Sequence, residues 1–151
     1  MRSSFAFSTS TLLMLFLPFF SGLAADSALP SVTVRNLPRP GAFQIENIGP
    51  PVRLSGEVHI EQQVGRQWQE LAPVIHLIES CWASVTQECP EIDPHKVITP
   101  VPWSGFSCSV QCPTKCKKNA YLGPGTFRFV LTTCDKSRKF YSDPFTLPTQ
   151  Q

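Results

Sequence analysis

The sequence predicts an all-β protein, an antiparallel sandwich or barrel of about seven to eight short strands stabilised by disulfides. Three observations lead there. Proline makes up 15 of the 151 residues, about twice the usual share of about 5%. Proline lacks a backbone N–H and clashes with the preceding helical turn, so long helices and coiled coils are disfavoured. Short segments that alternate apolar and polar residues recur between Gly and Pro turn signals, as half-buried strands do. Six cysteines, an even number, fall between positions 81 and 134, a disulfide framework if the chain is exported.

The amino-terminal residues predict export. Arg2 is the only charge in the first 25 residues, and an apolar run from Leu12 to Phe20 leads to Ser21, Gly22, Leu23, Ala24 and Ala25. A basic start, a short apolar run and small residues at −3 and −1 describe a secretory signal peptide. Gly22 and Ala24 fit cleavage after Ala24, with cleavage after Ala25 the close rival. The run falls short of the ~20 residues that span a bilayer and contains Pro18. Taking residues 1–25 as the signal peptide leaves 126 of 151 residues, with 12 basic and 11 acidic side chains. They form a single β-sandwich domain, 26–151, with no internal repeat and no later stretch apolar enough for stable membrane insertion. The expected localisation is secreted or periplasmic.

The mature chain reads as strands in order. Residues 31–35, flanked by Pro30 and Pro38, suit an edge strand. In 42–48, Phe43 and Ile45 take one parity while Gln44 and Glu46 take the other, and Gly49, Pro50 and Pro51 then break the chain. The longest alternation puts Leu54, Gly56, Val58, Ile60 and Val64 on one side, and Ser55, Glu57, His59, Glu61 and Gln63 on the other. That is a half-buried strand. Gly65 in Val64, Gly65, Arg66, Gln67 supplies a hairpin turn. Trp68 and Leu71 return along the neighbouring strand, Pro73 ends it, and 74–78 begins another apolar run. Residues 83–102, with Pro90, Pro94, Pro100 and Pro102, read as a long loop that a bridge or a function must hold. Residues 103–108 resume strand character. Residues 111–120 are a basic, cysteine-bearing excursion. Residues 126–133 carry apolar side chains on both parities at Val130 and Leu131, as in a central strand. A turn at 135–138 leads to the last strand, 140–147.

Cys81, Cys89, Cys108, Cys112, Cys116 and Cys134 admit fifteen pairings as three disulfides. Cys81 and Cys89 enclose seven residues and make a local pair, which leaves the other four to close 108–134 on itself. Metal ligation is the competing use of Cys108, Cys112 and Cys116. Structural zinc, however, uses close Cys pairs matched by a second pair or His, and iron–sulfur clusters belong mostly to reducing compartments.

The stretches 43–49, 58–71, 122–130 and 141–147 carry a further pattern. A strand ends in an Asn/Gly turn, a hairpin turns on Gly-x-x-Trp, a Leu-x-Pro-Gly-x-aromatic element opens the penultimate strand, and the last ends near Pro144 and Phe145. This order resembles small bacterial secreted immunoglobulin-like domains over most of 42–147. The resemblance implies an immunoglobulin-like β-sandwich and no particular activity. Phe127 stands where such domains often carry Tyr, so a tyrosine-corner hydroxyl is missing there. The cysteine-rich segment 108–116 also departs from the pattern.

No catalytic constellation stands out. The chain has no Gly-x-Ser-x-Gly elbow, cysteines committed to bridges supply no nucleophile, and no spacing singles out a carboxylate pair. His59 lies on the polar parity of its strand and His76 in an apolar run. His95, with Glu91 and Asp93, makes at most a weak cation site in a loop. Both methionines, Met1 and Met14, lie in the signal peptide, which argues against a thioether copper site. The net charge of +2 gives no electrostatic grip on nucleic acid. No cofactor is expected.

The sequence therefore points to an exported non-enzymatic binding or structural module. Its Cys-bearing loops, 81–95 and 108–120, face a protein or glycan partner. The candidate contacts are Lys115, Lys117, Lys118 and Trp103, with Trp82, Trp103 and Phe106 more apt to pack over the bridges than to form a sugar platform. The alternatives are a metal-binding exported protein using His95, Glu91 and Asp93 or unbridged thiols, and a small hydrolase.

Overall fold

The computed structural model describes residues 29–77, 89–108 and 119–149. They contain nine strands: β1 (Val32–Asn36), β2 (Phe43–Asn47), β3 (Val52–Val64), β4 (Gln67–His76), β5 (Glu91–Ile92), β6 (Val97–Ile98), β7 (Gly125–Thr133), β8 (Lys139–Tyr141) and β9 (Phe145–Leu147). One sheet has the order β1-β2-β6. The other runs β4-β3-β7-β8, with β5 also on β3 and β9 also on β7. All these pairs are antiparallel. The all-β, disulfide-bearing sandwich expected from the sequence is the fold observed.

Period-two patterning built the core. Phe43 and Ile45 point inward from β2, Leu54, Val58 and Ile60 from β3, and Phe127, Phe129 and Leu131 from β7; all eight are fully buried. The two sheets meet where the Phe43 and Phe129 rings stack with centroids 4.0 Å apart. Phe145 on β9 stacks on Phe129 from the other side at 4.7 Å. Each such side chain contributes about 1.5–3 kcal/mol on burial, and the Phe43–Phe129 stack ties the two sheets together. β7 is central, lying between β3 and β8/β9, and Val130 and Leu131 are both buried despite opposite parity. β1 lies at a sheet edge.

Four sequence expectations need correction. β4 does not stop at Pro73 but continues to His76. The register of β3 with β4 shifts between His59 and Glu61, and Pro73 falls in that irregularity, where a missing N–H is tolerated. The expected loop 83–102 holds β5 and β6 in its described part, each of two residues. Residues 103–108 form no strand, only an isolated bridge from Phe106 to Tyr121, because Gly105 turns the backbone with φ 86°. The last strand is split into β8 and β9 around Pro144. At the break Ser142 keeps the ladder intact: its N–H donates to the Phe129 carbonyl, and its hydroxyl accepts from the Phe129 N–H, both at 3.0 Å.

The covalent framework also differs from the expected local pair. Cys89 is bonded to Cys134, 45 residues away, with Cα atoms 5.7 Å apart. Cys89 therefore does not pair with Cys81, and Cys134 does not close 108–134 on itself. β5 explains why. It lies on β3 through Val52↔Ile92 and Arg53↔Glu91, and β7 ends beside the same stretch through Leu54↔Thr133. Residues just outside the two short ladders are thereby brought together across β3.

Candidate functional site

The two Cys-bearing loops are rooted at opposite ends of β7. Cys134 follows the last residue of β7, donating its N–H to the Arg53 carbonyl at 3.0 Å, while the Pro90 carbonyl accepts from Leu54 N–H at 3.1 Å. Leu77 and Cys89 are both held at this end: Leu77 N–H bonds the Gly56 carbonyl at 2.8 Å, and Cys89 is bridged to Cys134. The other loop is rooted near Gly125. Ser107 N–H bonds Ala120 C=O and Leu122 N–H bonds Gly105 C=O, each at 2.8 Å, and Cys108 N–H reaches Asn119 Oδ1 at 3.3 Å. Cys108 is buried and disulfide-bonded. At ~3.3 Å per residue, the nine-residue β7 holds the two roots roughly 26 Å apart.

Each root has a polar anchor that the sequence reading missed. Asn47 ends β2 on the same parity as Phe43 and Ile45 and is fully buried. Its amide donates to the carbonyls of Pro50 and Ile92, both at 2.8 Å, and its Oδ1 accepts from Gly49 N–H at 3.0 Å. Its backbone carbonyl accepts from His95 N–H at 2.7 Å and its N–H bonds Lys96 C=O at 3.2 Å. One side chain thus fixes the β2–β3 turn and the chain from β5 to β6. A polar residue at the third inward position of an apolar strand, just before Gly49, was the available signal.

At the other root the Tyr121 hydroxyl donates to the Pro148 carbonyl. The Tyr121 ring packs edge-on against Phe106 at 5.5 Å and lies so close to Gly105 and Gly123 that an added Cβ at either would meet it at 2.7–2.8 Å. The backbone anchor denied to Phe127 is supplied six residues earlier.

Of the proposed contact residues, Trp103 is only 2% exposed and is therefore a core residue, not a partner contact. Its indole N–H donates to Phe106 C=O at 2.8 Å, and its ring meets Phe127 and Phe145 edge-on. Lys115, Lys117, Lys118, Trp82, Cys81, Cys112 and Cys116 lie outside the described residues. Glu91, Asp93 and His95 are exposed. No group of three or more His, Cys, Asp and Glu placed to hold a metal exists among the described residues, so these three do not form a cation site. His95 occupies a turn instead. Lys96 N–H bonds Asp93 C=O at 3.2 Å, with proline second and a positive φ of 62° third, the pattern of a type II turn.

The outer face of the larger sheet carries a second cluster, legible only once strand register is known. Arg128 on β7 is directly opposite Glu61 on β3, and its Nε and one terminal nitrogen reach the same Glu61 oxygen at 2.7 and 2.6 Å. The guanidinium lies over the Trp68 ring at 4.3 Å and over the Tyr141 ring at 4.2 Å. His59 Nδ1 stands 3.0 Å from Glu70 beside them. A planar guanidinium can stack on aromatic rings, and Tyr141, Arg128 and Trp68 form a ladder running across the strands. In the turn after β7, Asp135 is held at a pKa of about 2 by hydrogen bonds from the Thr133 hydroxyl, then from the Ser137 N–H and hydroxyl.

No helix among the described residues is long and apolar enough to cross a membrane, and the Cys89–Cys134 bridge fits an oxidising compartment. No family model, curated protein or solved structure matches the chain.

Proposed function

We propose that the protein is an exported, non-enzymatic binding module: an immunoglobulin-like sandwich presenting disulfide-anchored loops to a protein or glycan. The observation that carries this reading is the rooting of each loop. One is held by Cys89–Cys134 and Asn47, the other by the paired stretch around Cys108 and by Tyr121. Recognition loops on a rigid β-scaffold keep their conformation without losing it to chain entropy on binding. The basic loop with Lys115, Lys117 and Lys118 is the contact for an anionic partner surface. The loop through 78–88 acts as a separate surface, because its root is at the opposite end of β7. The amino-terminal leader and the bridge both favour a secreted or periplasmic location.

The test probes immobilised acidic and neutral glycans, and extracellular proteins of the producing cell, with the oxidised chain. Three proteins are compared: wild type, the triple variant K115A/K117A/K118A, and Lys136→Ala at the other end of β7. The expected result is capture of one class that falls about tenfold or more in the triple variant and is unchanged in Lys136→Ala. No capture, or equal capture by all three, overturns the proposal.

A further inference from the structure

Sheet edges invite pairing with other chains, and most edges in this fold are blunted. β1 meets the larger sheet through a parallel bridge from Val34 to Ser142. The outer side of β2 carries β6 and then the Trp103 N–H bond to Gly41 C=O at 2.9 Å, with Pro100 and Pro102 between. β4 differs. Among the described residues no strand pairs with its second edge, and residues 67–72 contain no proline.

We propose that the chain self-associates through this edge, two copies of β4 pairing antiparallel about a two-fold axis at Trp68. The backbone is suited to it. Gly65, with φ 61°, and Arg66 form a two-residue hairpin loop closed by Val64↔Gln67. In such a hairpin the closing pair exchanges its hydrogen bonds and the pattern then alternates. Gln67 and Gln69 therefore bond β3, while the N–H and C=O of Trp68 and Glu70 face outward. Pairing about Trp68 uses these outward groups.

The side chains are self-complementary in the same register. The segment Arg66, Gln67, Trp68, Gln69, Glu70 reads basic, amide, aromatic, amide, acidic. Antiparallel pairing sets Arg66 opposite the partner's Glu70 at both ends, Gln67 opposite the partner's Gln69, and Trp68 opposite the partner's Trp68. Directly opposed residues of this kind stabilise a strand pair. Arg66 is exposed and the Glu70 side chain is 58% exposed, with one carboxylate oxygen 3.0 Å from His59 Nδ1 and the second left to meet the partner copy's arginine. The ladder Tyr141, Arg128, Trp68 ends at this edge, and the two-fold joins it to its copy. The contact is isologous and closes at two chains. It is independent of the loop-binding reading, since neither loop root takes part.

The experiment is sedimentation velocity of the oxidised chain from about 1 to about 300 µM, spanning the micromolar affinity expected of a small interface. The wild type is expected to pass from monomer to dimer. R66E and E70R should each weaken the dimer about tenfold or more, and the double variant R66E/E70R should recover it, because the charges are exchanged. Amide hydrogen exchange gives a second readout on the unaltered protein. Trp68 and Glu70 should gain protection with concentration, whereas Gln67 and Gln69, bonded to β3, should not. A monomer at every concentration, single reversals without effect, or a double variant that stays monomeric overturns the proposal, as does concentration-independent exchange at Trp68 and Glu70.

Discussion

The side-chain amide of Asn47 donates to the carbonyl of Ile92 at 2.8 Å, across 45 positions of sequence. The same nitrogen holds Pro50 C=O, also at 2.8 Å. Both amide protons are used and the residue is fully buried, so any replacement leaves backbone groups without partners. Asn47→Ala is expected to cost about 2–4 kcal/mol, since each orphaned buried group costs about 1–3 kcal/mol. Asn47→Asp should be at least as damaging, because a carboxylate cannot donate to two carbonyls. Urea unfolding of the oxidised protein measures both. A loss below about 1 kcal/mol would show that water replaces the amide.

What the sequence made legible follows from how far apart the determining residues lie. β2, β3 and β7 were readable because period-two burial is local. Phe43, Ile45, Leu54, Val58, Ile60, Phe127, Phe129 and Leu131 declare their side within a few residues. β5 and β6 were not, because two residues have no period and exist as strands only through β3 and β2. Pro73 misled because its tolerance depends on a register shift set by the partner strand. Cys89–Cys134 was hidden because spacing favours a near neighbour, whereas β5 and β7 deliver those two cysteines to the same stretch of β3. Trp103 looked like a surface contact because its proline-rich setting gives no parity. Arg128 drew no notice, since Glu61, Trp68 and Tyr141 meet it on three other strands.

Gly41 tests how closely the chain before β2 approaches the chain after β6. Its φ is 77°, and an added Cβ would fall on the Trp103 carbonyl. Backbone on backbone cannot yield as a flexible side chain can. Gly41→Ala therefore combines a left-handed conformation with a steric conflict and is expected to cost about 2–3 kcal/mol. It should also shift Trp103 fluorescence, since the indole is packed on Phe127 at 5.1 Å. An unchanged unfolding midpoint would mean that the turn at 37–42 moves freely.

Asp135 gives the fold an acid-sensitive contribution. Hydrogen bonds from Thr133, then from Ser137, lower its pKa from 3.8 to about 2 in the folded chain. A depressed carboxylate stabilises fully above its unfolded value, and that contribution is lost as pH falls through the folded value. The window is therefore between about pH 4 and about pH 2. Asp135→Asn keeps an acceptor oxygen but does not titrate, so its midpoint should fall less than that of wild type across this window. Parallel pH profiles for the two proteins would remove Asp135 from the acid response.

The Cys89–Cys134 bridge is the last and largest of these effects. It closes a segment with a sequence separation of 45, and the chain-entropy relation gives about 4 kcal/mol for a loop of that length. The paired variant C89A/C134A isolates this contribution without leaving an unpaired thiol to exchange with other cysteines. It should lower unfolding stability by about 2–5 kcal/mol and speed hydrogen exchange at Leu54, whose N–H is held by Pro90. Besides the Asn47 bond to Ile92, the two-residue β5 has only two ladder pairs to hold it on β3, so its ladder should open before the rest of the sheet. Exchange at Ile60 and Phe129, deep in the core, should change only as far as global stability does. If Leu54 and Ile60 lose protection equally, the bridge acts on the whole domain through the unfolded chain. If Leu54 alone opens, it acts locally, as the strap holding the loop root in place.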